Sequence, residues 1–386
     1  MRIIVAPDSF KGSLSAGDAV DAIAEGVYRA DPGIEVDLIP LADGGEGTAE
    51  TMVHATDGRI IRVPATDPFG MRIESYFGML GDGHTAVVEM AAASGLVLVS
   101  EDKRNPMHTT SFGTGELIHA ALDAGCTRLI LAIGGSATND GGVGAIQALG
   151  GRFLKADGSE AGYGGYDLRR LARIDLSGLD QRLKDIEVVT ACDVDNPLTG
   201  EHGASVVFGP QKGADADMVA ELDAGLHNLA EVIRRDVGVD VEHIPGAGAA
   251  GGMGAASVAF LGARLLPGIE IVLDAVRFAD RIRGASLIIT GEGKVDEQTL
   301  RGKVVIGVQR RAESMRIPVL ILAGAVDEEG YELSKLSDAS VFSIAPGPIT
   351  YAQSMTDTPR LLAHAAEQAI RLFLSGMRCR DISRSH

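Results

Sequence analysis

Arg2-Ile3-Ile4-Val5-Ala6-Pro7-Asp8-Ser9-Phe10-Lys11-Gly12-Ser13-Leu14-Ser15-Ala16-Gly17-Asp18 is the stretch that decides the fold. The run 2–6 is apolar without alternation, so it reads as a strand buried on both faces, as in a parallel sheet. A polar loop covers 7–14, and Ser15 with Asp18 three residues on is a capping box that opens a helix. Ala19, Val20, Ile23, Ala24 and Val27 then share one helical face, and Asp31-Pro32-Gly33 stops the run. A second strand is expected over 35–41. The glycine-rich loop Ala42-Asp43-Gly44-Gly45-Glu46-Gly47 leads from it into a helix over 48–55.

The last third repeats this rhythm. Strands are expected at 286–290, 318–323 and 341–344. A loop Gly291-Glu292-Gly293-Lys294 leads to a helix over 299–312, a short helix to 331–336, and a closing helix to 359–374. Five strand–helix units with short connections predict an α/β, flavodoxin-like parallel-sheet domain. The middle behaves differently. Alternating stretches at 59–63, 72–80 and 84–90 suggest antiparallel pairing, followed by a helix near 115–123 and strands at 128–133 and 187–191. The expected organisation is therefore a discontinuous flavodoxin-like domain over 1–59 and 285–386, with a second, mixed α/β domain of residues 60–284 inserted into it. Two consecutive domains are the alternative.

Composition narrows the function. The 386 residues carry 35 Lys+Arg against 53 Asp+Glu, a net charge of −18. Such a surface repels nucleic acid and anionic lipid, whereas local cations and helix N-termini can still bind a small anion. Cys126, Cys192 and Cys379 are widely spaced, with no CxxC pair to suggest a disulfide framework or a structural zinc. Residues 1–8 meet Pro7 and Asp8 too early for a signal-peptide core. The uncharged run 244–263 is mostly Gly and Ala, a poor membrane span. A soluble, cytoplasmic protein is expected.

Ligands of open parallel sheets bind where strands end. The first loop offers Asp8, Lys11 and Ser13; the second offers Asp43 and Glu46; the third offers Glu292, Lys294 and Asp296, with Lys303 beyond. In a flavodoxin-like order these loops are neighbours. Their lysines suit phosphates, and their acids suit Mg2+ or a hydroxyl. Each loop alone is more often an ordinary polar turn than a site, and Ser13, Ser15 and Asp296 can serve as helix caps. The middle region adds Ile133-Gly134-Gly135-Ser136-Ala137-Thr138-Asn139-Asp140-Gly141-Gly142, an anion-cradle pattern, and Phe208-Gly209-Pro210-Gln211-Lys212-Gly213. Asp193 and Asp195 at a strand end either hold a metal or hydroxyl, or form an Asp-rich turn closed by Pro197. Gly246-Ala247-Gly248-Ala249-Ala250-Gly251 fits the dinucleotide pattern but lacks a convincing strand before it and an acidic ribose partner after it.

Taken together, these loops resemble the type-1 glycerate kinase family. The resemblance is carried by residues 6–13, 40–48, 134–142, 193–198 with 208–214, and 290–293 with Asp296, Gln298, Thr299, Gly302 and Lys303. It runs in order along nearly the whole chain, and Val305 departs from the proline usual there in the family. The resemblance implies transfer of the γ-phosphoryl group of ATP to D-glycerate with Mg2+, in a cleft between two domains, with 2-phosphoglycerate favoured over 3-phosphoglycerate.

With that chemistry in view, Asp193 is expected to orient or deprotonate the glycerate hydroxyl, with Asp195 supporting it or holding Mg2+. Lys11 and Ser13 are expected at the glycerate carboxylate or the transferring phosphoryl group. Lys212, Lys294 and Lys303 are expected at the ATP phosphates beside Ser136 and Asn139. Asp8, Asp43, Glu46 and Asp296 are expected on the substrate side, with Glu292 as a second metal ligand. A kinase for another short hydroxy acid, a nicotinamide-dependent oxidoreductase built on residues 246–251, and a non-catalytic small-acid sensor are the competing readings. A homo-oligomer is compatible with all of them.

Overall fold

An unbroken apolar strand must be paired on both edges and covered on both faces, and this chain pairs its first strand with strands from both ends of the sequence. The computed structural model describes residues 1–45, 47–296, 299, 303–332 and 339–384. Its strands in chain order are β1 (Arg2–Val5), β2 (Glu35–Leu38), β3 (Arg59–Thr66), β4 (Arg72–Met79), β5 (Thr85–Glu89), β6 (Arg128–Ala132) and β7 (Arg152–Lys155). They continue with β8 (Leu171–Asp175), β9 (Glu187–Ala191), β10 (Arg264–Leu266), β11 (Leu287–Val295), β12 (Val319–Val326) and β13 (Ala339–Ser343). The chain divides into two compact units, one formed by Met1–Asp43 with Val272–His386, the other by Gly44–Ile271.

The first unit holds the sheet β13-β12-β11-β1-β2, parallel throughout. Read from β2, the order is the flavodoxin-like one, in which the second strand flanks the first and the later strands follow on its other side. Ile3, Ile4 and Val5 are fully buried in its centre. The helix Ala16–Ala30 starts where the capping box predicts, with Ser15 Oγ accepting the Asp18 amide at 3.1 Å. Its stripe of Ala19, Val20, Ile23 and Val27 is buried.

Three elements of this unit differ from expectation, the first two for a local reason. The predicted loop at 291–294 is strand. β11 runs through it, with Gly291, Glu292 and Lys294 paired to Leu322, Ala323 and Ala325. A Cβ on Gly291 would lie 2.0 Å from the Leu322 carbonyl oxygen, so this glycine serves close strand approach rather than a turn. The closing helix spans Tyr351–Arg384 and contains Pro359, which had been read as its start. Proline cannot donate to the carbonyl four residues back. That carbonyl, on Met355, accepts instead from Ser13 Oγ at 2.6 Å. The short helix expected at 331–336 is a 3-10 turn at Glu329–Glu332, and its remainder lies outside the described residues.

The second unit is built on the sheet β10-β9-β6-β5-β4-β3. β3, β4 and β5 pair antiparallel, and β5, β6, β9 and β10 pair parallel. β7 and β8 form a separate hairpin-like pair. The helix Thr48–Ala55 belongs to this unit: a Cβ on Gly78 of β4 would lie 2.8 Å from Val53 Cγ2. Accordingly the division falls at 43/44 and 271/272, against the 59/60 and 284/285 expected. The glycine run 246–251 is a packing seam rather than a nucleotide turn. A Cβ on Gly248 would lie 2.1 Å from the Pro197 carbonyl oxygen, and one on Gly251 2.1 Å from that of Thr138. Among the described residues, no helix is long and apolar enough to cross a membrane.

Candidate active site

Parallel strands all end on one edge of their sheet, so the loops that follow them gather there. In the first unit a cavity of about 380 Å³ is lined by Asp8, Lys11, Ser13, Glu292, Lys294, Asp296 and Lys303, with Tyr351, Met355 and Thr358 of the last helix. Asp8 is only 5% exposed and accepts the Ser9 amide at 2.6 Å. Burial first, then the charge of Asp43, pushes its carboxyl up to about 7; Glu292 adds to this, while the Ser9 amide and Lys11 pull the other way. Glu292, 6% exposed, accepts from Thr299 Oγ1 at 2.7 Å, and burial raises it too.

Lys11 is the exposed cation beside these acids: its side chain is 71% exposed and pairs with Asp43 Oδ2 at 3.4 Å. Partial burial pulls its ammonium down, but Asp43, Asp8 and Glu292 outweigh that and hold it above its usual value. Lys294 lies 3.4 Å from both Asp296 and Asp327, which raise it. Lys303 immediately precedes the helix Val304–Glu313. Ser13 lines the cavity while its hydroxyl bonds the Met355 carbonyl and sits 2.6 Å from Thr358 Oγ1. Glu46 lies outside the described residues.

The second unit holds the remaining candidates. Lys212 is 2% exposed, and its Nζ donates to Ser136 Oγ at 2.8 Å and to the Thr138 carbonyl at 2.6 Å. Burial brings this ammonium down to about 7, against the pull of Asp140. Asn139, fully buried, gives its Nδ2 to Ser205 Oγ at 2.8 Å. Asp193 and Asp195 follow β9 on an exposed turn, and Asp193 Oδ1 accepts the Gly268 amide at 2.9 Å.

Three acids escaped the sequence reading as organisers. Glu89, at the end of β5, accepts the Gly47 and Ala49 amides at 3.2 and 2.5 Å, anchoring the N-terminus of the helix Thr48–Ala55. Asp140 collects the Ser111 amide and hydroxyl, both at 2.8 Å, and the Gly142 and Gly144 amides; its burial still raises it. Glu242 joins Thr199, His227 and Arg234. A lone charge inside an apolar run, as at Glu89, was the available signal.

The residues present can be set against a magnesium ion. Among the described residues, no group of three or more His, Cys, Asp or Glu side chains is arranged to hold a metal. Magnesium in phosphoryl transfer sites typically takes one or two carboxylates and completes its shell with water and phosphate oxygens. The buried, mutually repelling pair Asp8 and Glu292 meets that smaller requirement.

The glycerate kinase family model matches residues 3–374. A Bacillus subtilis (strain 168) protein called glycerate kinase is 51% identical over 97% of this chain and 100% of its own. The glycerate 2-kinase of Escherichia coli (strain K12) is 51% identical over 89% of this chain and 90% of its own. The crystal structure of a candidate glycerate kinase 2 from Salmonella typhimurium LT2, 48% identical, matches with a TM-score of 0.90 over 98% of this chain and 99% of that one. The chain belongs to the glycerate kinase family, and it is an enzyme of the kinase class.

Proposed function

We propose that this enzyme transfers the γ-phosphoryl group of ATP to D-glycerate, with 2-phosphoglycerate as the product. The observation that carries the reading is the cavity where Lys11, Lys294 and Lys303 stand among Asp8, Glu292 and Asp296, within a chain matched to the family from end to end. Phosphoryl transfer asks for alignment and charge neutralisation more than for covalent chemistry. Lysines ringed by acids keep their charge, and they are released to phosphates when an anion enters. The 2-hydroxyl is preferred because the Escherichia coli relative is named a glycerate 2-kinase.

In this reading Lys294 and Lys303 meet the ATP phosphates, and Lys11 meets the transferring group or the glycerate carboxylate. Asp193 accepts the hydroxyl proton with Asp195 beside it. Glu292 and Asp8 would hold Mg2+, which would supply charge neutralisation at the phosphates. Lys212, buried and bonded to Ser136 and the Thr138 carbonyl, supports the 134–142 loop in this reading. A reliance on ATP supports a cytoplasmic location in this reading.

The test is ADP release measured with Mg-ATP and D-glycerate, with L-glycerate, no acceptor and EDTA as controls. Release should require both D-glycerate and the cation. Equal release without acceptor, or none from folded, ATP-binding enzyme, rejects the reading.

A further inference from the structure

Asp193 and Asp195 stand on an exposed turn, and a turn of that kind needs an anchor if its carboxylates are to be aimed. The anchor lies slightly further along the chain. Glu242, buried, accepts the Thr199 hydroxyl on Oε1 at 2.8 Å, and its carbonyl accepts the Leu198 amide at 3.0 Å. Asp223 accepts the Gly200 amide at 3.0 Å. The Glu242 carboxylate is itself gripped from the helix Ala216–Asp236, with His227 Nδ1 at 2.6 Å from Oε1 and Arg234 donating to Oε2 at 3.3 Å.

We propose that Glu242 is a positioning residue for phosphoryl transfer: with Asp223 it fixes residues 198–200 and hence the direction in which Asp193 and Asp195 are presented, and protonated His227 tightens that hold. The proposal rests on the reading that these two aspartates serve the acceptor hydroxyl. The charged groups facing His227 are Asp223 and Glu231 on its own helix and Glu242 opposite, while Arg234, paired with Asp240, flanks Glu242. The bond to Glu242 raises the imidazole above its usual value. Burial pushes Glu242 up, but His227, Thr199 and Arg234 outweigh it and hold the carboxyl low. A group raised on folding contributes below its unfolded value and loses the contribution as pH climbs through the folded one. The hold on the turn therefore slackens toward alkaline pH.

The test compares Glu242→Gln, Thr199→Val, His227→Gln and Asp193→Asn in the full-length enzyme, reading kcat, KM for ATP and the pH profile. Glu242→Gln and Thr199→Val should lower kcat by about tenfold or more with KM for ATP unchanged. His227→Gln should flatten the alkaline decline of kcat. A clamp that only stabilised the fold would move thermal stability and leave the kcat profile intact. Should Glu242→Gln fail to fold, Thr199→Val, which removes only the turn's side of the bond, carries the test. Wild-type kcat in Glu242→Gln or Thr199→Val, with Asp193→Asn impaired, overturns the positioning role. Wild-type kcat in Asp193→Asn overturns the underlying reading and this proposal with it.

Discussion

Lys11 and Lys212 are both lysines in glycine-rich, phosphate-suited loops, and their settings are opposite. Lys11 stands 71% exposed on the cavity wall beside Asp43, with its charge reinforced by Asp43, Asp8 and Glu292. Lys212 is 2% exposed, bonded to Ser136 and the Thr138 carbonyl, and brought down to about 7 by burial. In the proposed reading, a lysine beside a ligand loop serves the ligand when its partners are exchangeable carboxylates. It serves the loop when its partners are fixed oxygens of the fold.

The sharpest way to break this contrast is Lys11→Ala. Its exposed ion pair contributes at most about 1 kcal/mol, so urea unfolding should hardly move. Turnover should fall by about a hundredfold or more if the charge is used at the phosphoryl group. Unchanged turnover would remove Lys11 from the chemistry.

Lys212→Met should show the reverse, with stability moving before chemistry. It strands the Thr138 carbonyl and Ser136 hydroxyl, which costs about 1–3 kcal/mol. The cost depends on pH with a definite sign. The unfolded lysine keeps its proton to 10.5 and the folded one loses it near 7. Between those values the unfolded chain binds the extra proton, so this residue makes wild-type stability rise with pH. Lys212→Met should lose that rise and be more destabilising at pH 9 than at pH 6, as denaturant midpoints would reveal.

Ser13 sharpens the same distinction inside the cavity, because its hydroxyl already serves the Met355 carbonyl left open by Pro359. Ser13→Ala should cost about 1 kcal/mol of stability, with a smaller loss of turnover than Lys11→Ala. The smallest stability change is expected for Lys294→Ala, whose solvent-exposed pairs with Asp296 and Asp327 are screened by water. Its effect should instead appear as a raised KM for ATP.

Much of the first unit was legible because its strands are short apolar runs and its first helix carries its own cap. The run 2–6 and Ser15 with Asp18 are read correctly from type and spacing alone. The errors came where tertiary contact overrode a local rule. Gly291 looked like a turn and is a strand residue pressed against Leu322. Pro359 looked like a helix start and lies inside one, because a distant serine satisfies the carbonyl it leaves open. The site divided in the same way. The acids and lysines that line the cavity announced themselves through charge, although Glu292 and Lys294 lie in β11 rather than in a loop. Glu89, Asp140 and Glu242 act by accepting bonds from segments distant in sequence, and that pairing is invisible until the chain folds.

The measurement closest to the central claim is phosphorus NMR of the reaction product formed from Mg-ATP and D-glycerate. The account predicts a single new phosphomonoester resonance that matches authentic 2-phosphoglycerate and grows with ADP. A resonance matching 3-phosphoglycerate would contradict the assigned hydroxyl. ADP accompanied only by inorganic phosphate would contradict transfer to glycerate altogether.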